Sequence, residues 1–182
     1  MSKEVKRVIK KAMALKAKEK YEESLKLLRD LYKNDSNSLE VKRALIEVLF
    51  SYGHHLSDEW ILRYEDACQC FEEVSKIDPE SYRAIYNWGI CLFCMGQFEE
   101  ALLKYQDALR IKPDYKFCHY NIGLVQEKLG KYERALKSYK RALKIDPNFI
   151  YAKHARADLE MNREEWEKHD PDEKEEKLGL LK

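Results

Sequence analysis

Apolar and aromatic side chains return along this chain at a fixed interval of 34 residues. Ile77, Ile111 and Ile145 each stand two places before a proline, at Pro79, Pro113 and Pro147. Tyr64, Phe98 and Tyr132 keep the same step, as do Phe71, Tyr105 and Tyr139. Small residues recur between them at Ala67, Ala101 and Ala135, and the last two copies also share Asn87/Asn121, Gly89/Gly123 and Gly96/Gly130. A period of this length predicts a stacked solenoid, in which each copy buries its apolar face against the next. Such an array offers a long surface rather than an enclosed catalytic pocket, which favours binding over catalysis.

The residues of the two best-kept copies, 82–115 and 116–149, resemble the tetratricopeptide repeat (TPR) family. In the first of these copies the resemblance rests on Gly89, Gly96, Phe98, Ala101, Tyr105, Ala108 and Pro113. In the second it rests on Gly123, Gly130, Tyr132, Ala135, Tyr139, Ala142 and Pro147. Alanine or glycine suits a close approach of two helices, aromatics fill the gaps between neighbours, and proline follows a helix that must stop. The resemblance implies an all-α fold, a right-handed α-solenoid of antiparallel helix pairs with a C-terminal cap helix. It implies one TPR domain over residues 1–182, with units at about 5–38, 39–81, 82–115 and 116–149. A cap helix from Phe149 to about Lys168 and a charged tail complete the region 150–182.

The first two units fit less closely. The first keeps Ala12, Tyr21, Ser24, Leu28 and Leu31 but lacks the terminal proline. In the second, Gly53 takes the inter-helix glycine position, and Tyr64 lies nine residues later than the period requires. A nine-residue insertion within 54–63 is therefore expected. Ser57 and Asp58 should form a polar turn capping a second helix that begins near Glu59, with Trp60 packed on the solenoid or meeting a partner.

Composition changes this picture little. Of 182 residues, 37% are charged, and the six glycines and four prolines are few, as an all-helical array requires. The apolar stretches are far short of a membrane span, and the N-terminus has no signal-like apolar region. Five cysteines, an odd number, suggest a reducing compartment, so a cytoplasmic or nuclear location is expected and membrane insertion is not. Net charge is +1 but unevenly placed: residues 1–33 carry +6, 34–79 carry −6, 114–147 carry +4 and the last 35 carry −3. The basic residues are not interleaved with a nucleic-acid motif, so no nucleic-acid partner is expected.

The resemblance implies a concave face lined by the first helix of each unit. Its peptide-binding residues would be Arg83, Tyr86, Asn87 and Ile90 in the third unit, Phe117, Tyr120, Asn121, Leu124 and Lys128 in the fourth, and Tyr151 and His154 in the cap, with Asp158 continuing the row. Related proteins use asparagine here to bind the backbone of an extended peptide, a task suited to an amide that both donates and accepts. The family's carboxylate clamp for chaperone tails fits poorly. Arg43 and Asn87 match two of its five places, whereas Glu47, Phe117 and Asn121 fill the others, and Glu47 would repel a carboxylate.

No motif calls for a catalytic residue, cofactor or metal. There is no glycine-rich phosphate loop, nucleophile elbow or HExxH. The Cys91-x-x-Cys94 pair lies inside an expected helix rather than a knuckle, and Cys68 and Cys70 read as buried small residues. The expected function is that of a scaffold or adaptor, not an enzyme, whose groove holds a peptide segment or helix of another protein. The alternatives are a structural subunit assembling a larger complex through edges, ends and the apolar tail Leu178-Gly179-Leu180-Leu181, and a co-chaperone.

Overall fold

The computed structural model describes residues 3–166. Among them are ten helices and no strand: α1 (Lys3–Lys16), α2 (Tyr21–Asn34), α3 (Leu39–Leu56), α4 (Tyr64–Ile77), α5 (Tyr82–Cys94), α6 (Phe98–Ile111), α7 (Lys116–Lys128), α8 (Tyr132–Ile145), α9 (Ile150–Met161) and the single turn α10 (Arg163–Trp166). The chain forms two compact units, one up to Cys91 and one from Leu92.

In the first unit α1 packs on α2, α2 on α3, and α3 on α4. The apolar spacing of α3 explains its burial, because Ala44, Leu45, Val48, Leu49 and Leu56 share one face at helical intervals and join Leu25, Leu28, Phe71 and Val74 in one core. Ala12 and Ala67 are fully buried at the close contacts. Ser24 stands where the later repeats have alanine. Its buried hydroxyl donates to the Ala12 carbonyl at 2.8 Å, so no polar group is left unpaired.

The turn into each second helix is built alike. Glu19, Leu62, Gly96 and Gly130 have φ between 55° and 76°, each two residues before α2, α4, α6 or α8. The next backbone N–H then reaches back to close the preceding helix, from Lys20 to Leu15, Arg63 to Leu56, Gln97 to Leu92 and Lys131 to Gln126. Leu62, not Gly53, therefore holds the inter-helix position of the second pair. Gly53 lies inside α3, where an added Cβ would come within 2.8 Å of the Phe71 ring.

The insertion also differs from expectation. α4 begins at Tyr64, not near Glu59. α3 has 18 residues where α5 and α7 have 13, because Leu56 continues the buried face. The rest of the extra length is connection. The amides of Ile61 and Leu62 both bond to the Asp58 carbonyl at 3.0 Å, and the left-handed backbone at Leu62 ends any helical run. Trp60 does not pack on the fold and is 86% exposed.

In the second unit α6 packs on α7, α7 on α8, and α8 on α9. Ala101, Tyr105, Ala108, Ala135, Tyr139 and Ala142 are fully buried. The expected single cap helix is instead two pieces, α9 and α10, broken at Asn162. The break turns Trp166 back against Tyr132, with ring centroids 5.5 Å apart, and its indole N–H donates to the Leu159 carbonyl at 2.8 Å. Residues 167–168 of the expected cap, the charged tail and Leu178–Leu181 lie outside the described residues.

Candidate functional site

A cavity of about 470 Å³ opens between α7 and α9 in the second unit. Tyr120, Leu124 and Glu127 reach it from α7, at intervals of four and three that put them on one helix face. Ile150, Tyr151, His154, Ala155 and Asp158 reach it from α9. Its rim is apolar and open to solvent: Ile150 is 56% exposed and Tyr151 62%.

The floor depends on a missing side chain. A Cβ on Gly123 would lie 2.3 Å from the Tyr139 ring, so only glycine lets α8 bring that ring beneath α7. Tyr139 then packs against Tyr120, centroids 5.7 Å apart, and its hydroxyl donates to the Glu127 carboxylate. Phe149 is set edge-on to Tyr120 at 5.5 Å and to Tyr151 at 5.7 Å. The groove aromatics are thus packed on one another, which lowers the ordering cost of binding.

Electrostatics separate the carboxylates from the rest. Burial pushes the Glu127 carboxyl above the ordinary glutamate range, and the nearby Asp158 charge adds to the effect; the Tyr139 hydrogen bond and Lys128 act against it. Burial also raises the Tyr120 hydroxyl, helped by the Glu127 charge. No lysine or arginine lines the cavity among the described residues. Close by, Lys116 is already engaged: its ammonium pairs with Asp146 at 2.5 Å and lies 4.9 Å from the Phe149 ring centre.

Of the residues expected at the groove, Tyr120, Leu124, Tyr151, His154 and Asp158 come together in this cavity. Phe117 lies beside it, 5.3 Å from Phe149. Lys128 is exposed on the last turn of α7. The Asn121 amide is instead directed at the Tyr105 hydroxyl on α6, a long contact of 3.5 Å. Arg83, Tyr86, Asn87 and Ile90 lie on α5 in the first unit, with Arg83 exposed and its Nε donating to the Tyr82 hydroxyl at 3.3 Å. Sequence reasoning missed Glu127, Ile150 and Ala155. The seven-residue step from Tyr120 to Glu127 was a usable signal for the first.

Two other features do less. The first unit has a cavity of about 540 Å³, but many of its charges pair internally: Arg63 with Asp66 at 2.7 Å, and the Tyr52 hydroxyl with Glu22 at 3.0 Å. The cysteines Cys70 and Cys118 are buried, which pushes their thiols up to about 11 and about 12, far from the reactive thiolate range. Among the described residues no three His, Cys, Asp or Glu side chains converge as metal ligands would, and no helix is long and apolar enough to cross a membrane.

Two family models match the chain, one described as tetratricopeptide repeat over residues 117–149 and one as TPR repeat over 91–130. No curated protein matches it in sequence. Among solved structures it is similar to the crystal structure of MamA protein, with 21% identity over 100% of this chain and 97% of that one and a TM-score of 0.67. It is similar to the first TPR domain of human RPAP3, at 22% identity over 68% of this chain and 96% of that one, TM-score 0.64. It is also similar to YrrB, described as a TPR protein with an unusual peptide-binding site, at 18% identity over 82% and 90% of the two chains, TM-score 0.58. With repeat matches over residues 91–149 and TPR proteins among the structures it resembles, the chain carries tetratricopeptide repeats and has the all-α TPR solenoid fold.

Proposed function

We propose that this chain is an interaction scaffold whose second unit holds a peptide segment or helix of a partner protein between α7 and α9. The observation that carries the reading is the α7–α9 cavity itself. Its rim is made of exposed Tyr151 and Ile150, supported from below by Tyr120 and Phe149. Aromatic anchors over a packed floor are the usual composition of a binding hot spot. Relatives lend support in kind: the first TPR of Spaghetti (RPAP3) is described as bound to an HSP90 peptide, SRMEEVD. An acidic tail of that kind suits this groove poorly, because Glu127 and Asp158 would oppose its carboxylates.

The reading is tested by selecting ligands for the wild-type chain from a randomised twelve-residue peptide library. The affinities of the selected peptides are then measured for wild type and Tyr151→Ala. A loss of tenfold or more is expected for the dominant peptide class. Equal affinity for the two proteins would remove the groove from the function.

A second reading has its own observation. Trp60 and Leu62, 86% and 54% exposed, form an apolar feature on the α3–α4 connection. Large exposed apolar residues suit assembly into a larger complex. Trp60→Ser would then disrupt assembly while leaving peptide binding intact, which separates the two readings.

A further inference from the structure

Resting on the groove reading above, we propose that the cavity between α7 and α9 is a socket for one basic side chain, an arginine or lysine of the partner segment. Three features of the site agree on this ligand. The first is charge: two carboxylates, Glu127 and Asp158, face a space that no lysine or arginine of the described chain lines. The second is desolvation. Glu127 is half-buried, receives its hydrogen bond from a neutral donor, the Tyr139 hydroxyl, and feels Asp158 as a like charge. A cation placed between the two carboxylates relieves both burdens, whereas an anion or an apolar group relieves neither. The third is the aromatic lining. Tyr120 and Tyr151, with centroids 6.1 Å apart and planes at 47°, offer two ring faces to a guanidinium or ammonium stem.

The chain shows the same chemistry, satisfied internally, a few residues away. Lys116 inserts its ammonium near the Phe149 and Phe117 rings, at 4.9 and 5.1 Å, and pairs with the Asp146 carboxylate. The α7–α9 cavity repeats that combination of carboxylate and aromatic faces, with no lysine or arginine of the described residues lining it. The region's many basic residues do not supply one. Lys137, Lys140, Arg141 and Lys144 are exposed on α8, and Lys128 is exposed at the end of α7; none lines the cavity.

The test uses the whole chain and the same randomised twelve-residue library. Selected peptides are expected to share an Arg or Lys at one fixed position. Replacing that residue by norleucine should weaken binding at least tenfold. The Glu127→Gln/Asp158→Asn variant should bind the parent peptide as weakly as wild type binds the norleucine peptide, with little further loss when both changes are combined. The amide oxygen that Glu127→Gln introduces can still accept from the Tyr139 hydroxyl, and far-ultraviolet circular dichroism checks that the variant is folded. Selected peptides that lack a fixed basic residue, or that bind the double variant as wild type, would overturn the socket. If those peptides still lose affinity on Tyr151→Ala, the groove reading survives and only the socket fails. If no selected peptide responds to Tyr151→Ala, both fail together.

Discussion

Four left-handed residues open the second helices, and two of them are not glycine. Glu19 and Leu62 hold φ of 57° and 55°, a conformation that costs a side-chain-bearing residue on the order of 1–2 kcal/mol. Leu62→Gly should therefore raise the thermal midpoint, while Gly96→Ala, at φ 76°, should lower it by an amount corresponding to about 1 kcal/mol. Opposite shifts in paired thermal melts are the expected result; shifts of the same sign would contradict the turn geometry. Glu127 gives a second residue-scale prediction. Its carboxyl is raised chiefly by burial, so folding shifts its proton equilibrium towards the neutral form relative to the unfolded chain. The charged form is then a penalty at neutral pH, relieved as pH falls through the raised folded value. Stability of wild type relative to Glu127→Gln should thus rise on acidification, and affinity for a basic peptide should fall. The groups facing Glu127 are Lys128 and Tyr120 on α7, Tyr139 on α8, and Asp158 and His154 on α9. Denaturant titrations of both proteins between pH 7.5 and pH 4 read the first effect; an unchanged difference would place Glu127 in solvent.

At the scale of elements, sequence reasoning did well wherever sterics dictate the residue. Ala67, Ala101 and Ala135 were legible as close contacts because nothing larger fits, and all three are fully buried. Gly53 misled because two different needs select glycine. The 34-residue period assigns it to the turn, yet it lies in α3 to admit the Phe71 ring, while Leu62 makes the turn. The helix boundary moved with it. α3 extends to Leu56, which is 1% exposed, and the connection bears the exposed Trp60. Leu56→Ala should cost about 2–5 kcal/mol, as large-to-small changes in a core do. Trp60→Ser should stay within about 0.5 kcal/mol. Urea unfolding of both variants checks the contrast. Comparable losses would mean that Trp60 belongs to the core after all.

At the scale of the molecule, the repeat was legible because its period is written in side-chain identity, and the family matches fall on the two copies where that writing is clearest. The cap was less so. A helical apolar pattern runs through residues 150–166, but the break at Asn162 depends on Trp166 finding Tyr132 on another element. The groove was half legible. Tyr120, Leu124, Tyr151, His154 and Asp158 follow from the repeat register, whereas the net acidity of the site does not follow from local charge. Residues 114–147 carry +4, yet the exposed basic groups of α8 lie away from the cavity and the carboxylates line it. Burial of Glu127 requires three helices and could not be read from α7 alone.

The most direct measurement of groove binding is a map of backbone amide shifts on adding a selected arginine- or lysine-bearing peptide to the isotope-labelled chain. The largest changes should fall on α7 and α9, at Tyr120, Leu124, Glu127, Tyr151, His154 and Asp158, and should vanish in Tyr151→Ala. Changes centred on the connection around Trp60, with α7 and α9 silent, would contradict it.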